Sequence, residues 1–496
     1  MTTTASAPSG TFLDEPRWSG KVFIDGQWAP GGGGSAAVDE PATGREIGRV
    51  GTADAADIAR AAASALKAQR EWAALPHPAR AAILRKAGDL FTAHGDEIRA
   101  WNVREVGAIG MMAGFASHVA AEQCYAAAGL PGANYGELIP SEEPRLSMAR
   151  RVPAGVVGVI SPFNVPLILS IRSVAPALAL GNAVLLKPDP RTVVTGGVSI
   201  TRVFEEAGLP AGLLQLVPGG ADVGQALVTD PNVRVISFTG STRAGRAIGK
   251  AAGEHLKRAH LELGGKNSLI VLDDADVEQA VNLATWGTFF HQGQICMSSG
   301  RLLVHEKLYD DFVAALAAKA TSMTVGNPAT DDVQLGPIID AGQRDKIHSL
   351  VTASADAGAR TVSGGTYEDL FYRPTVLADV TPSQPAFTEE IFGPVAPVTK
   401  FADLDEAAQL AGAGEYGLSL GIVTPDVMKG LALADRIPTG IVHINDQTVN
   451  DEANIPFGGV KDSGTGSRFG GAAANVDAFT ETRWVTLRST PPTYPL

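Results

Sequence analysis

The amino-acid sequence predicts an α/β protein built on parallel sheets. From about residue 155 onward, short runs of β-branched and other apolar residues alternate with stretches of helical periodicity. Gly, Pro or Asn bounds each run, and this alternation is typical of strand–helix–strand units whose strands are buried on both faces. The runs fall into two series: 155–160, 183–187, 213–217 and 233–238, then 268–272, 301–305, the run after Gly393, 420–424 and 441–444. Two successive α/β domains that join near Glu262 are therefore expected.

The segment before the first series carries different signals. Residues 21–30 predict a β-hairpin, because an Asp-Gly pair stands between two short apolar runs. Residues 53–130 are rich in alanine and predict helices. Pro78 is expected to start one of these helices, and Gly95 stands where its C-cap would fall. This region is expected to supply core packing.

Composition excludes several classes of protein. The chain has 496 residues and a formal net charge of −13, from 53 acidic and 40 basic side chains. This balance argues against general nucleic-acid binding, because phosphate contacts need clustered Lys and Arg. Cys124 and Cys296 are the two cysteines of the sequence. They exclude a disulfide framework and a four-ligand structural zinc site, and they suit a reducing compartment. No metal site is expected.

The sequence also argues against membrane insertion and secretion. Residues 1–10 are rich in Thr, Ala, Ser and Pro and lack a basic region followed by an apolar stretch, so no signal peptide is expected. The most apolar region, 162–186, is interrupted by Asn164, Arg172 and Asn182. A membrane helix would need about 20 clean apolar residues. A cytoplasmic protein is the expectation.

A candidate anion site follows the strand predicted at 233–238. Thr239-Gly240-Ser241 comes next, and a helix is expected from about Thr242. Free backbone N–H groups and a hydroxyl at a helix N-terminus favour phosphate binding. The motif is not a Walker A sequence, because Arg-Ala stands where Lys and Ser or Thr are required. An ordinary N-cap in a Gly-Ser turn is the alternative, and the residues leave both open.

Cys296 is the candidate nucleophile. Gly293 is expected to end a helix and a strand to begin near Arg301, so the thiol would lie in a connecting loop. A loop thiol is more open to nucleophilic chemistry than a core thiol. The alternative is a small buried hydrophobe. Cys124, within an alanine-rich helix, is expected to be of that kind.

Glu262 is the candidate general base, because it stands between Leu261 and Leu263. A buried carboxylate there must be paired or have a raised pKa, and a raised pKa suits a base that works near neutrality. A half-exposed strand residue is the alternative. His291 lies near Cys296 in sequence and is expected on the preceding helix in a structural role. Serine-hydrolase and zinc-protease motifs are absent from the sequence.

Taken together, seven segments resemble the aldehyde dehydrogenase family over nearly the whole chain. They occur in the family's order and at its spacing: SPFNVP (161–166), LLKP (185–188), FTGS (238–241), LELGGK (261–266), GQIC (293–296), EEIFGPV (389–395) and PFGG (456–459). Several independent motifs in register are far more specific than any one of them.

The resemblance implies roles for three catalytic residues. Cys296 would add as a thiolate to the aldehyde carbon. Asn164 and the backbone N–H of Cys296 would form the oxyanion hole. After oxidation leaves a thioester, Glu262 would activate the water that hydrolyses it to the acid.

The resemblance also implies a nicotinamide cofactor, NAD or NADP. Lys187 would hold the adenosine ribose, Glu390 the nicotinamide ribose, and Phe392 would pack beside the nicotinamide. Ser241 with Gly240 would contact the pyrophosphate; Ser161 and Gly264 are further implied contacts.

One position bears on the choice of coenzyme. Pro190 stands where NAD-preferring relatives often carry a glutamate that repels a 2′-phosphate, and Arg191 follows it. Because that repulsion is missing and a guanidinium is near, NADP is expected to be accepted, alongside NAD.

The implied architecture has three parts. A Rossmann-like NAD(P)-binding domain would comprise 1–133 and 154–261, and the catalytic domain 262–476. A small β oligomerisation arm would comprise 134–153 and 477–496. Homodimers or homotetramers are the family norm.

Two stretches, 170–192 and 443–452, look like the benzaldehyde, vanillin and salicylaldehyde dehydrogenase branch, which implies an aromatic aldehyde as substrate. An aromatic ring needs apolar walls. Val165, Ile295, Met297 and Phe457 are the expected contributors. Arg172 stands where many relatives carry an aromatic residue, and it is expected to alter the pocket.

Three alternatives stay open at this stage. An aliphatic or semialdehyde dehydrogenase is the first, with Arg172 or Arg301 as the group that would bind a substrate carboxylate. A CoA-acylating enzyme is the second, although Glu262 argues against it. A non-enzymatic protein is the third. Many relatives carry a glutamate where this chain has Arg468. A proton relay or an ion pair formed by that glutamate would be missing here.

Overall fold

The computed structural model describes residues 11–133 and 136–495. The N-terminal residues 1–10, the first two residues of the predicted arm (134–135) and residue 496 lie outside this part of the chain. No helix within the described ranges combines the length and the apolar character needed to cross a membrane.

The helices cluster in the N-terminal third and between the strands. They are α1 (Glu15–Trp18), α2 (Ala55–Ala74), α3 (His77–Ala93), α4 (Gly95–Val106), α5 (Gly110–Gly129), α6 (Pro166–Ala179), α7 (Ser199–Glu206), α8 (Ala221–Thr229), α9 (Thr242–Glu254), α10 (Val277–Phe289), α11 (Tyr309–Ser322), α12 (Ala341–Asp356), α13 (Pro385–Thr388), α14 (Leu404–Gly412), α15 (Val427–Ala434) and α16 (Ala472–Phe479).

The strands occur along the whole chain. They are β1 (Lys21–Ile24), β2 (Gln27–Pro30), β3 (Ser35–Glu40), β4 (Arg45–Gly51), β5 (Gly136–Leu138), β6 (Leu146–Pro153), β7 (Val156–Ile160), β8 (Ala183–Lys187), β9 (Leu214–Leu216), β10 (Val233–Thr239), β11 (Arg258–Glu262), β12 (Asn267–Val271), β13 (Ser299–His305), β14 (Arg360–Ser363), β15 (Tyr367–Glu368), β16 (Phe371–Tyr372), β17 (Thr375–Ala378), β18 (Val395–Phe401), β19 (Tyr416–Gly417), β20 (Ser419–Val423), β21 (Ile441–Ile444), β22 (Val460–Lys461) and β23 (Thr480–Leu487).

Two seven-stranded sheets carry the fold. The first has the order β11-β10-β7-β8-β9-β1-β2, and its first five strands are parallel. The second has the order β14-β17-β18-β13-β12-β20-β21 and is parallel except at β14. Strands such as β7 and β8 are buried along their full length, which is why they read as unbroken apolar runs. The predicted α/β class is confirmed, and the chain passes from one sheet to the other between Glu262 and Asn267.

The N-terminal hairpin is confirmed as β1 and β2. Asp25 and Gly26 at its tip have φ values of 53° and 75°, as a type I′ turn requires. The predicted C-cap at Gly95 is wrong. Helix α3 ends at Ala93, and Gly95 opens α4, whose acidic first turn at Asp96 and Glu97 favours a helix start there.

A small third sheet has the order β23-β6-β5. Its strands fall within the ranges predicted for the arm, and β6 pairs with β23 along eight residues of each strand. Leu138, Trp484 and Leu487 on this sheet are exposed. The arm's role in assembly and the division of the chain into functional domains stay predictions.

Candidate active site

A deep, mainly apolar cavity of about 390 Å³ lies beside the Cys296 loop. Cys296 and Asn164 both line it. Its apolar walls come from α5, α6, α10 and the loops near residues 295 and 457: Met111, Met112, Phe115, Val165, Ile168, Leu169, Trp286, Phe290, Ile295, Met297, Val449 and Phe457. The four apolar residues expected from the sequence are among them. The contributions of α5 and α10 were missed, because helical periodicity does not distinguish a cavity wall from a core face.

The thiol is held by an unusual turn. Helix α10 ends at Phe289, and His291, Gln292 and Gly293 then adopt φ values of 53°, 57° and 65°. The Gln292 amide fixes this turn by donating to the backbone carbonyls of Gly107 (3.1 Å) and Pro337 (3.0 Å). The expectation that His291 lies on the helix is wrong, because the helix has already ended.

Two side chains from other segments hold the backbone around Cys296. Asn267 Nδ2 donates to the carbonyls of Cys296 (2.7 Å) and Ser298 (2.9 Å). Thr448 Oγ1 donates to the carbonyl of Met297 (2.6 Å). Neither residue was expected in the site from the sequence, although each lies in or next to a segment that carried the resemblance. The loop is thus fixed from both sides.

His291 connects the thiol loop to the Asn164 loop. Its Nε2–H donates to the backbone carbonyl of Asn164 over 2.7 Å. Burial lowers the pKa of His291 to about 4, so the ring is neutral near pH 7. A neutral ring with its proton on Nε2 positions Asn164 and is a poor candidate for a base.

The Cys296 thiol is protonated in this environment. Burial raises its pKa to about 12, and the negative charges of Glu390 and Glu262 act in the same direction. The Arg172 guanidinium opposes them. Formation of a thiolate therefore requires a base or a change of charge in the site.

Glu262 is almost fully buried, at 1% exposure, at the end of β11. Neither carboxyl oxygen has a hydrogen-bond partner among the described residues. Burial raises its pKa well above the usual value, against the positive charges of Arg172 and Arg468. A Cβ at Gly458 would lie 2.8 Å from Oε1, so a glycine makes room for the carboxyl group. The half-exposed alternative is excluded, although Glu262 does not itself line the cavity.

Arg468 lies in the segment that packs on Glu262. Its Nη1 donates to the carbonyls of Gly459 (3.1 Å) and Ser467 (3.0 Å). The residue therefore places a positive charge near the buried carboxyl group.

Arg172 lies on α6 and lines the cavity, but its charge is compensated. It forms a buried ion pair with Asp451, and its guanidinium lies 4.4 Å from the centre of the Phe457 ring. Arg301, the other arginine considered for a substrate carboxylate, does not line the cavity. It donates instead to the backbone carbonyls of Leu410, Ala413 and Lys266, contacts that join distant segments.

The carboxyl edge of the first sheet gathers several of the residues expected to bind a cofactor. Lys187 ends β8, and burial lowers its pKa against the charges of Asp189 and Asp222. Ser241 caps α9, and its Oγ accepts the Ala244 N–H. The Gly240 N–H donates to the Glu262 carbonyl (3.0 Å), and Ser161 Oγ accepts from Ser170 (2.7 Å).

Glu390 and Phe392 lie across the thiol loop from these residues. Glu390 Oε1 accepts the Gly265 N–H at 2.9 Å. A Cβ at Gly264 would stand 2.6 Å from Oε2, so Gly264 leaves the space that the carboxylate occupies. Phe392 makes an edge contact with Phe163, with ring centres 5.8 Å apart.

The surroundings of Pro190 and Arg191 match the expectation about coenzyme choice only in part. Position 190 offers no carboxylate, but Arg191 is not a free guanidinium. It pairs with Asp189 (2.8 Å) and Asp340 (2.6 Å) and stacks over Phe163 at 4.1 Å. A 2′-phosphate would have to compete with both carboxylates.

These parts define a class of protein. A fixed thiol that opens into an apolar cavity, with an amide in the wall and a buried carboxyl group nearby, equips an enzyme to form a covalent intermediate on cysteine. No group of three or more metal-ligating side chains occurs among the residues described.

The chain belongs to the aldehyde dehydrogenase family, whose model matches residues 28–485. A vanillin dehydrogenase from Amycolatopsis sp. is 68% identical and covers 98% of this chain and all of that protein. A benzaldehyde dehydrogenase [NAD(+)] from Pseudomonas putida is 48% identical, with coverage of 97% and 99%. The crystal structure of a salicylaldehyde dehydrogenase from Pseudomonas putida G7 complexed with salicylaldehyde superimposes with a TM-score of 0.93, at 36% identity and coverage of 96% and 99%. The resemblance seen in the motifs is confirmed.

Proposed function

We propose that the protein oxidises an aromatic aldehyde to the carboxylic acid with a nicotinamide cofactor. The observation that carries the proposal is the cavity itself, whose aromatic and aliphatic walls lead to the Cys296 thiol. Flat apolar walls suit a benzene ring. The names of the vanillin and benzaldehyde relatives point to the same substrate class.

In the first chemical step, Cys296 adds to the aldehyde carbon. The thiol proton is released to water as the thiolate attacks. The carbonyl oxygen becomes an oxyanion, which the Asn164 amide and the Cys296 backbone N–H would stabilise. His291 keeps the Asn164 loop in place through its hydrogen bond.

In the second step, the thioester on Cys296 is hydrolysed. Glu262 would accept a proton from the attacking water when its carboxyl group is ionised, and its raised pKa makes the carboxylate a stronger base than that of an exposed glutamate. The same donors would hold the second oxyanion. A CoA-acylating enzyme does not need this carboxyl group, so its presence favours hydrolysis.

The residues present fit a nicotinamide cofactor, which supplies the two-electron oxidant. The Lys187 ammonium and the α9 N-terminus that begins at Ser241 provide a cation and backbone donors. Ser161 would add a hydroxyl next to Lys187. Glu390 would accept hydrogen bonds from the nicotinamide ribose, and Phe392 would pack beside the ring.

We propose that both NAD and NADP are accepted, since no carboxylate at Pro190 repels a 2′-phosphate. Replacement of Arg191 by Ala is expected to lower kcat/KM for NADP about tenfold relative to NAD, because it removes a charged donor. Initial rates with each coenzyme measure this ratio. The matched variant Asp340→Asn removes a competing charge and should favour NADP. A wild-type NADP efficiency a hundredfold below that of NAD would contradict the proposal.

A panel of aldehydes tests the substrate class. Benzaldehyde and vanillin are expected to give kcat/KM values at least about tenfold above hexanal, because the ring fills apolar walls that a thin chain does not. Formation of the reduced cofactor is followed by its absorbance. Turnover of hexanal alone would keep the thiol mechanism and overturn the aromatic assignment.

A semialdehyde dehydrogenase is the second candidate, and Arg172 is the observation that bears on it. Because Asp451 already compensates the guanidinium, the cavity offers a substrate carboxylate little net positive charge. Succinate semialdehyde is therefore expected to be a poor substrate in the same panel.

We also propose that 1–133 with 154–261 forms the cofactor domain and 262–476 the catalytic domain. The third sheet would form a homodimer or homotetramer arm, since it exposes Leu138, Trp484 and Leu487. A cytoplasmic location stays a prediction.

A further inference from the structure

Lys266 is a buried charged residue that the mechanism above does not use. It follows Gly265 in the segment between the two sheets and is 4% exposed. Its Nζ has no hydrogen-bond partner among the residues that the structure describes. A buried ammonium without a partner is costly, so the position requires an explanation.

The lysine and Glu390 line the same small cavity, of about 20 Å³, behind the Cys296 loop. That volume has room for one water molecule. A Cβ at Gly300 would lie 3.2 Å from Lys266 Cδ and 3.4 Å from Nζ, so this glycine leaves the channel through which the lysine reaches the cavity. The fold thus provides space for the amine beside the carboxyl group.

The segment that carries Lys266 also holds both sides of the site. The Gly265 N–H binds Glu390, and the Asn267 amide binds the carbonyl of Cys296. Lys266 lies between Gly265 and Asn267 in the chain. Because hydrogen bonds hold both neighbours in place, the backbone of Lys266 is fixed relative to Glu390.

We propose that Lys266 is a positioning residue that keeps Glu390 ionised, so that its carboxylate can accept hydrogen bonds from the nicotinamide ribose. This inference rests on the proposed role of Glu390. Lys266 acts through that carboxylate and touches neither the cofactor nor the aldehyde.

The charged groups around Lys266 and Glu390 agree with the positioning role of Lys266. Burial lowers the pKa of Lys266 to about 7, with Arg301 acting in the same direction and Glu390 and Glu389 against it. Burial raises the pKa of Glu390, against the charges of Lys346 and Lys266. Removing the Lys266 charge raises the pKa of Glu390 further. The carboxyl group then ionises at higher pH than in the wild type.

The test measures the affinity for NAD between pH 6 and 9 by protein fluorescence. In Lys266→Met, which keeps the side-chain length without the charge, affinity near pH 7 is expected to fall about tenfold and to recover toward pH 9. The exposed charge of Lys319 on α11 provides the control, and Lys319→Met is expected to change affinity less than about twofold.

Glu390→Gln and the double variant Lys266→Met/Glu390→Gln complete the cycle. The double variant is expected to bind NAD no more weakly than Glu390→Gln, since Lys266 acts only through Glu390. A loss in Lys266→Met that is independent of pH, or that adds to the loss from Glu390→Gln, would overturn the inference. If Glu390→Gln alone leaves NAD affinity unchanged, the ribose role of Glu390 fails, and the inference fails with it.

Thermal unfolding shows whether Lys266→Met folds. If it does not, Lys266→Gln provides the second test, because it removes the charge and keeps a polar side chain. The same shift of the affinity profile to higher pH is expected, and an unchanged profile would contradict the inference.

Discussion

Replacing Cys296 with Ala is expected to lower aldehyde oxidation at least about a thousandfold, because no other thiol, hydroxyl or amine side chain lines the cavity in the part of the chain that the structure describes. Binding of NAD should stay within about twofold of wild type, since the residues proposed to hold the cofactor are untouched. Steady-state rates and fluorescence titration measure the two properties separately.

Cys124→Ala is the matched control. Cys124 is fully buried in the alanine-rich helix α5, as the sequence predicts, and does not line the cavity. Its replacement should leave kcat unchanged. Activity retained in Cys296→Ala, or lost equally in both variants, would overturn the assignment of the nucleophile.

The second large effect is expected in Glu262→Gln. The amide cannot take a proton from water, so the thioester on Cys296 should accumulate. A rapid burst of about one equivalent of reduced cofactor per active site should precede a steady state slowed roughly 10²–10⁴-fold. Stopped-flow absorbance measures both phases.

The pH dependence has a definite sign. Burial raises the pKa of Glu262, so the wild-type rate should rise with pH as the carboxyl group loses its proton, at higher pH than for an exposed glutamate. The rate of Glu262→Gln should not show this rise with pH. The exposed Glu254 on α9 offers a control, and Glu254→Gln should retain both the burst and the rise of the rate with pH. A normal steady state in Glu262→Gln would show that another group activates water.

The strands and the burial of Glu262 could be predicted from the sequence for the same reason. An apolar run marks a strand covered on both faces, and a carboxyl group between two leucines in such a run is carried into the interior. Local patterning contains that information. It also explains the hairpin, since the Asp-Gly turn depends only on backbone conformation.

The partners of the charged side chains could not be predicted in this way. Arg191 meets Asp340 and Arg172 meets Asp451 across separations of 149 and 279 residues. Arg301 was considered only for the alternative of a substrate that carries a carboxylate, and the three carbonyls to which it donates come from other segments. Such contacts depend on how the two sheets pack, which no local pattern encodes. The early end of α10 was missed because residues other than glycine rarely adopt positive φ.

The turn at His291, Gln292 and Gly293 has a consequence for how the protein can evolve. Two residues with side chains held in the left-handed region cost on the order of 1 kcal/mol each in conformational energy. Glycine at Gln292 would relieve that cost but would lose the amide that ties the turn to Gly107 and Pro337. The segment ahead of the thiol thus lowers the stability of the fold while it holds the thiol loop in one conformation. Substitutions there that raise stability are expected to lower the catalytic rate.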